Sequence, residues 1–148
     1  MGMLSFLGKI NDGIGKHGDL GIPGREELQD PHTDWPSKLH PGSLNVAIDL
    51  AWLPAKVDRK KPARDVHRLL VPAVTISGSD LKNNKLNEPA DAWRAVMYKP
   101  SSKVLFDCWV FRRRDSGIGV QLEVVSDKPL RASYNLSTGD EVIVMVFG

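Results

Sequence analysis

The chain lacks a second cysteine. Cys108 stands alone, so no internal disulfide can form. None is needed: 148 residues are expected to fold as one domain, 1–148, and to bury roughly 68–70% of the surface the unfolded chain exposes. Charge of one sign is lacking too. Twenty Lys and Arg against eighteen Asp and Glu leave a net charge of +2, too balanced to argue for nucleic acid as a partner. No apolar stretch approaches the roughly 20 residues of a membrane span. The opening MGMLSFLGKI is too short an apolar run for a secretory signal. Internal repeats and low-complexity tracts are also absent. These features predict a cytoplasmic protein in a reducing compartment, acting away from membranes as a monomer. Cys108 lies in the apolar run VLFDCWVF, where a small buried hydrophobe is the expected role. A catalytic thiol would need a base beside it, and the sequence assigns none.

What is present is alternation. From Ser43, Leu44, Val46, Ile48 and Leu50 point one way, while Ser43, Asn45, Ala47 and Asp49 point the other. LSFLGKI (4–10), LLVPAVTIS (69–77), AWRAVMYK, VLFDCWVF, VQLEVV and EVIVMVF read as further strands. Pro72 demotes 69–77 to an edge or a bulge. GREELQD and DKPLRASYNL each suit a turn of helix, STGDE is a turn, and KVDRKKPARD (56–65) is a solvated connection. About six short strands with little helix predict a mainly β chain, an all-β barrel or sandwich; closing the six strands into a barrel would also protect their edges. Long loops at 11–42 and 78–91 are unusual in so small a domain and point to function or disorder.

GIGKHG (13–18) fits G-x-G-x-x-G in form. As a dinucleotide fingerprint it fails, because IPG follows where a helix should open, and no G-K-[ST] makes it a Walker loop. Two readings remain: a plain glycine-rich hairpin loop, or a nest of backbone amides that approaches a phosphate closely, with Lys16 and His17 as added donors. FRRRD (111–115) offers three arginines that either steer anions or form a solvated surface.

Taken together, these pieces resemble the archaeal-type CTP-dependent riboflavin kinases, a family with a cradle-loop β-barrel fold. The match runs through GKINDGIGKHG (8–18), PGSLNV (41–46), LEVVSDKPLR (122–131) and GDEV (139–142), in the family's order and approximate spacing. The resemblance implies phosphoryl transfer from CTP to riboflavin with Mg2+, giving FMN and CDP. It implies nucleotide binding by Gly13, Ile14, Gly15, Lys16, His17 and Gly18, and by Lys128, Pro129, Leu130 and Arg131. It implies magnesium on the oxygens of Ser43 and Asn45, and flavin at Glu123. A further flavin contact falls by ungapped count on Asp115, and with a shift of one residue on Ser116. The read residues alone also allow Ser43 to close a turn, Asn45 to bond a neighbouring backbone, and Glu123 to be an exposed strand glutamate.

The departures are Asp12 for a serine, Lys16-His17 for a glutamate-glycine, and Asp115, whose carboxylate would repel a phosphorylated product. Residues 51–91 do not align. No general base is assigned. Two rival functions remain: a binding module that kept the barrel without turnover, and a DNA-binding regulator. The second rests on LRASYNLSTGDEVIV, similar to the AbrB-like pattern but confined to the last third of the chain.

Overall fold

A computed structural model describes residues 2–12, 22–28, 34–41, 43–76, 89–102 and 104–148. Seven strands form one antiparallel sheet: β1 (Met3–Asn11), β2 (Leu44–Ile48), β3 (Val74–Ile76), β4 (Ala90–Tyr98), β5 (Phe106–Arg113), β6 (Gln121–Val125) and β7 (Glu141–Phe147). Their order is β3-β4-β5-β6-β2-β1-β7, and β4 pairs again with β7. Six strands therefore close into a barrel, and β3 is an extra edge strand. One side of β4 is shared: Ala90–Ala92 pair with β3, and Ala95–Tyr98 with β7.

Strict alternation explains the closure. Leu44, Val46 and Ile48 of β2, Leu122 and Val124 of β6, and Val142, Val144 and Val146 of β7 all enter one inner core. Each such burial stabilises by about 1.5–3 kcal/mol. Cys108 belongs to this core. Burial pushes its thiol well above the ordinary range, and nearby Asp107 adds to this, so it packs as a hydrophobe.

The outer face is not left bare beside β4, β5 and β6. Trp35, fully buried, meets Trp109 edge-on at 5.0 Å between ring centroids and donates its indole N–H to the Pro23 carbonyl at 2.8 Å. Leu28, Leu39, Phe111 and Val125 complete a second core. The described parts of the long 11–42 connection are thus a packed strap over the barrel wall. The predicted helical turn there is a 3-10 turn, Arg25–Glu27.

Helices close the two ends. α1 (Asp65–Leu69) follows a 3-10 turn at Pro62–Arg64. It sits where β1 begins and β4 starts: the Trp93 indole donates to the Leu70 carbonyl at 3.1 Å. This corrects two expectations. The 56–65 connection is not wholly solvated, since Pro62, Ala63 and Asp65 are buried. Of the expected 69–77 strand, Val74–Ile76 is β3, Leu69 belongs to α1 and Pro72 lies in the stretch between them, while Ser77 lies outside the described residues. At the other end α2 (Leu130–Ser133) supplies the predicted turn of helix, and Tyr134 just after it stacks on Phe106 at 3.9 Å. The following turn needs Gly139, whose φ of 91° disfavours a side chain.

The FRRRD run is not a solvated surface either. Arg112 is buried, and Arg114 makes a two-pronged ion pair with buried Asp91, at 2.9 and 3.0 Å. His67 Nε2 lies 2.8 Å from the same carboxylate. Burial pushes Asp91 up, but Arg114 and His67 outweigh it and hold the acid below its usual range. A depressed carboxylate stabilises the fold at pH values above its unfolded titration, near about pH 4, and loses that contribution as pH falls through the folded value. We expect Asp91→Asn to cost about 1.5–3 kcal/mol at neutral pH, and the gap from wild type to narrow as pH is lowered from about 5 to 3. Urea titrations across that range check both; a gap constant with pH would contradict the ion-pair account.

Candidate functional site

Register decides which polar groups meet. β2 lies between β1 and β6, so Asn45 faces Asn11 on one side and Glu123 on the other. Leu44, Val46 and Ile48 take the inner face, leaving Asn45 and Glu123 outward as neighbours on adjacent strands. Directly opposed residues of this kind have Cα atoms about 4.5–5.5 Å apart. The predicted metal ligand and the predicted flavin contact are therefore side by side, with Asn11, close to the start of the glycine loop, beside them. Gly13, Ile14, Gly15, Lys16, His17 and Gly18 lie outside the described residues.

Two clefts flank β6. The first exists because β5 and β6 pair only from Trp109–Val125 to Phe111–Glu123. Past that last pair they diverge and the 114–120 turn spans the gap. A cleft of about 230 Å³ lies there, lined among others by Arg112, Arg113, Asp115, Ser116, Gln121 and Glu123. Asp115 and Ser116 thus both reach the cleft that Glu123 reaches, so either register of the loop places a residue in it. Ser116 is half-buried and its hydroxyl accepts the Ile118 N–H at 3.2 Å; Asp115 is exposed.

The second cleft, about 250 Å³, lies at the other end of β6. Ser43, Lys128, Pro129, Leu130 and Arg131 line it together, although Ser43 and Arg131 are far apart in sequence. His40 and Ser126 join them. Leu44, Val124 and Leu130 give it an apolar wall, and its lining holds no carboxylate among the described residues. The Ser126 hydroxyl accepts the Lys128 N–H and donates to the Asp127 carboxylate, both at 3.2 Å. Cations and hydroxyls over an apolar wall suit a ligand with an anionic part and a flat apolar part. Asn45 lines neither cleft; it stands on the sheet between them.

Arg131 explains what Asp12 does. Its guanidinium donates to the Thr138 hydroxyl at 3.1 Å, to the Asn11 carbonyl at 3.3 Å and to the Asp12 carboxylate at 3.4 Å. Thr138 also donates to Asp12. Asp12, which precedes the glycine segment in sequence, is thus the counter-ion of a cation in the second cleft. Sequence reasoning missed this pairing, gave no role to His40 or Ser126, and met Arg112 only as one of the three arginines of FRRRD. Arg112 alone carried a signal: it continues the inward parity of Phe106, Cys108 and Val110 in β5.

Among the described residues no group of three or more His, Cys, Asp or Glu converges to hold a metal. No helix among them is long and apolar enough to cross a membrane. Compared with models of known protein families and with curated proteins, the chain has no match. What the fold defines is a closed six-stranded antiparallel barrel with one added strand and two clefts on either side of β6.

If Arg131 is the anion contact of the second cleft, removing its carboxylate partner must help an anion bind. Exposed pairs of this kind are worth about 0.2–1 kcal/mol. We expect Asp12→Asn to tighten inorganic pyrophosphate binding up to about fivefold, measured by calorimetry. Weaker binding in the variant would contradict this assignment.

Proposed function

We propose that the chain is a phosphotransferase of the riboflavin-kinase type, moving the terminal phosphoryl group of CTP to the 5′-hydroxyl of riboflavin. One observation carries the reading. Of the residues matched to nucleotide and metal contacts, Ser43 and Lys128–Arg131 share one cleft, with Asn45 on the sheet between the clefts, while those matched to flavin contacts (Glu123, Asp115 and Ser116) share the other. The two clefts adjoin along a single five-residue strand, so the reading needs no rearrangement of the barrel.

The chemistry follows from the linings. Leu44, Val124 and Leu130 offer a surface for a flat base, and Lys128 and Arg131 offer charge to phosphates. The riboflavin hydroxyl oxygen attacks the terminal phosphorus, the bond to the bridging oxygen breaks, CDP leaves with the electron pair, and the hydroxyl proton passes to solvent. Catalysis of this type is mostly positioning and charge stabilisation. Ser43 and Asn45 would offer magnesium two neutral oxygens, a donor set that suits an ion which takes few protein ligands and keeps water and phosphate oxygens. Bound there, the ion would neutralise charge on the phosphates.

A binding module without turnover is the second reading. The Arg131–Asp12 pair favours it, because that cation is already engaged.

Incubation with riboflavin, magnesium and either CTP or ATP tests the proposal. FMN is expected, with CTP preferred. Riboflavin and CDP binding without FMN from any triphosphate would favour the module, and no binding of either would end both. Asn45→Ala is expected to abolish the magnesium-dependent part of the thermal shift that CDP produces; an unchanged magnesium effect would remove Asn45 from the metal site.

A further inference from the structure

The chain's charge is balanced overall but not locally. Residues 49–62 form one loop whose two ends meet on neighbouring residues. It leaves the sheet after Ile48, whose N–H meets the Val120 carbonyl at 2.9 Å, and returns at Ala63, whose N–H meets the Gly119 carbonyl at 2.8 Å. Compact surface loops of this kind pack by their own side chains: Val57 belongs to the inner core and Leu53 lies against it. What is left outside is of two kinds. Leu50 and Trp52 are exposed, with Val120 exposed at the foot of the loop. Lys56, Arg59, Lys60 and Lys61 are exposed as well.

Residues 49–68 hold six Lys and Arg against three Asp, while the whole chain nets only +2, so all of its positive excess lies in this stretch. The acids there hold the local structure. Asp49 accepts the Ala51 N–H, Asp58 accepts the Lys60 N–H, and buried Asp65 pairs with Arg68, each at 2.9 Å. Asp58 also lies 3.8 Å from Arg64. Among the described residues no ion pair engages Lys56, Arg59, Lys60 or Lys61. The loop's tryptophan is equally unused by the fold: Trp35, Trp93 and Trp109 are buried, and Trp52 is 70% exposed.

We propose that the 49–62 loop is a docking face for an anionic phospholipid bilayer, with its cations against lipid phosphates and Trp52 and Leu50 in the headgroup layer. Tryptophan favours the membrane–water interface, and each Lys or Arg near an anionic leaflet adds attraction. The aliphatic side chains decide against nucleic acid. Single strands are held by aromatic side chains on which successive bases stack. Among its described residues the loop offers one aromatic ring, with Leu50 and Val120 for company. Neither the balanced charge of the whole chain nor the lack of a spanning segment bears on a face this local. The inference does not rest on the flavin reading, and the second cleft lies at the far end of β6.

Because the other tryptophans are buried, a change in emission on binding reports on Trp52. Vesicles of phosphatidylcholine, with and without phosphatidylserine, are titrated into the full chain at about 0.1 M salt, where charges still reach about 10 Å. The mixed vesicles are expected to shift the emission to the blue and to co-sediment with the protein; phosphatidylcholine alone is expected to do neither. Arg59→Gln with Lys60→Gln is expected to weaken co-sedimentation about 25-fold, since each charge near such a surface is worth about fivefold. Trp52→Ala is expected to weaken it about tenfold. All three side chains are exposed, so both variants should keep the wild-type thermal transition. No binding of mixed vesicles by the wild type would overturn the proposal, as would equal binding of both kinds of vesicle. Undiminished binding by the variants would place the contact on another face and overturn it too. An emission shift with a single-stranded oligonucleotide but not with vesicles would assign the loop to nucleic acid instead.

Discussion

The pairing of β2 between β1 and β6 is the constraint on which the rest depends. Without it Asn11, Asn45 and Glu123 would belong to three unrelated stretches of chain. With it they form one row across the outer wall. A slip of one residue would turn Asn45 into the core and Val46 out of it. The inner face forbids that slip, because Leu44, Val46 and Ile48 pack with Leu122, Val124 and Phe6. The apolar side of the strand thereby fixes the address of its polar side. Closure of the barrel by β4 against β7 locks the same register from the far side.

The outer wall is then divided by what covers it. Over β4, β5 and β6 the Trp35 strap seals a second core. At either end of β6 the seal stops, and there the clefts lie. One forms because β5 and β6 part company after Phe111–Glu123; the other forms where the chain leaves β6 for α2 and enters β2. The first is lined by charges of both signs and the second by cations. One arginine from each lining is restrained differently. Arg131 is exposed and tied to Asp12; Arg112 is buried and tied only to carbonyls.

Much of this was legible in the sequence where period and burial agree. Alternation in β2 and β6 and apolar runs in β1, β4, β5 and β7 located the barrel strands, and glycine and aspartate located the Ser137–Asp140 turn. Pro72 correctly marked β3 as an edge. Reading failed where a short charged stretch is held by tertiary contacts. KVDRKKPARD looks solvated, yet Pro62 and Ala63 insert into the barrel mouth and Asp65 is gripped by Arg68. FRRRD looks like a surface run, yet its first arginine is inside and its third neutralises Asp91. No local pattern announces a partner such as Asp91, because the pairing spans strands that meet only after folding. The clefts were partly legible: the groups assigned to each came from separate segments, but Asp12 as counter-ion of Arg131 required the closed barrel.

Paramagnetic relaxation is the most direct probe of the central claim, that this register gathers nucleotide, metal and acceptor contacts around β2 and β6. With manganese and CDP added to isotope-labelled protein, the amide signals of Ser43–Asn45 and Ser126–Arg131 should broaden first. Those of Glu123 and Ser116 should follow, and those of the α1 end, Val66–Leu70, should stay sharp. Broadening centred on α1 or on the outer face of β7, with Ser43 and Asn45 untouched, would contradict the account.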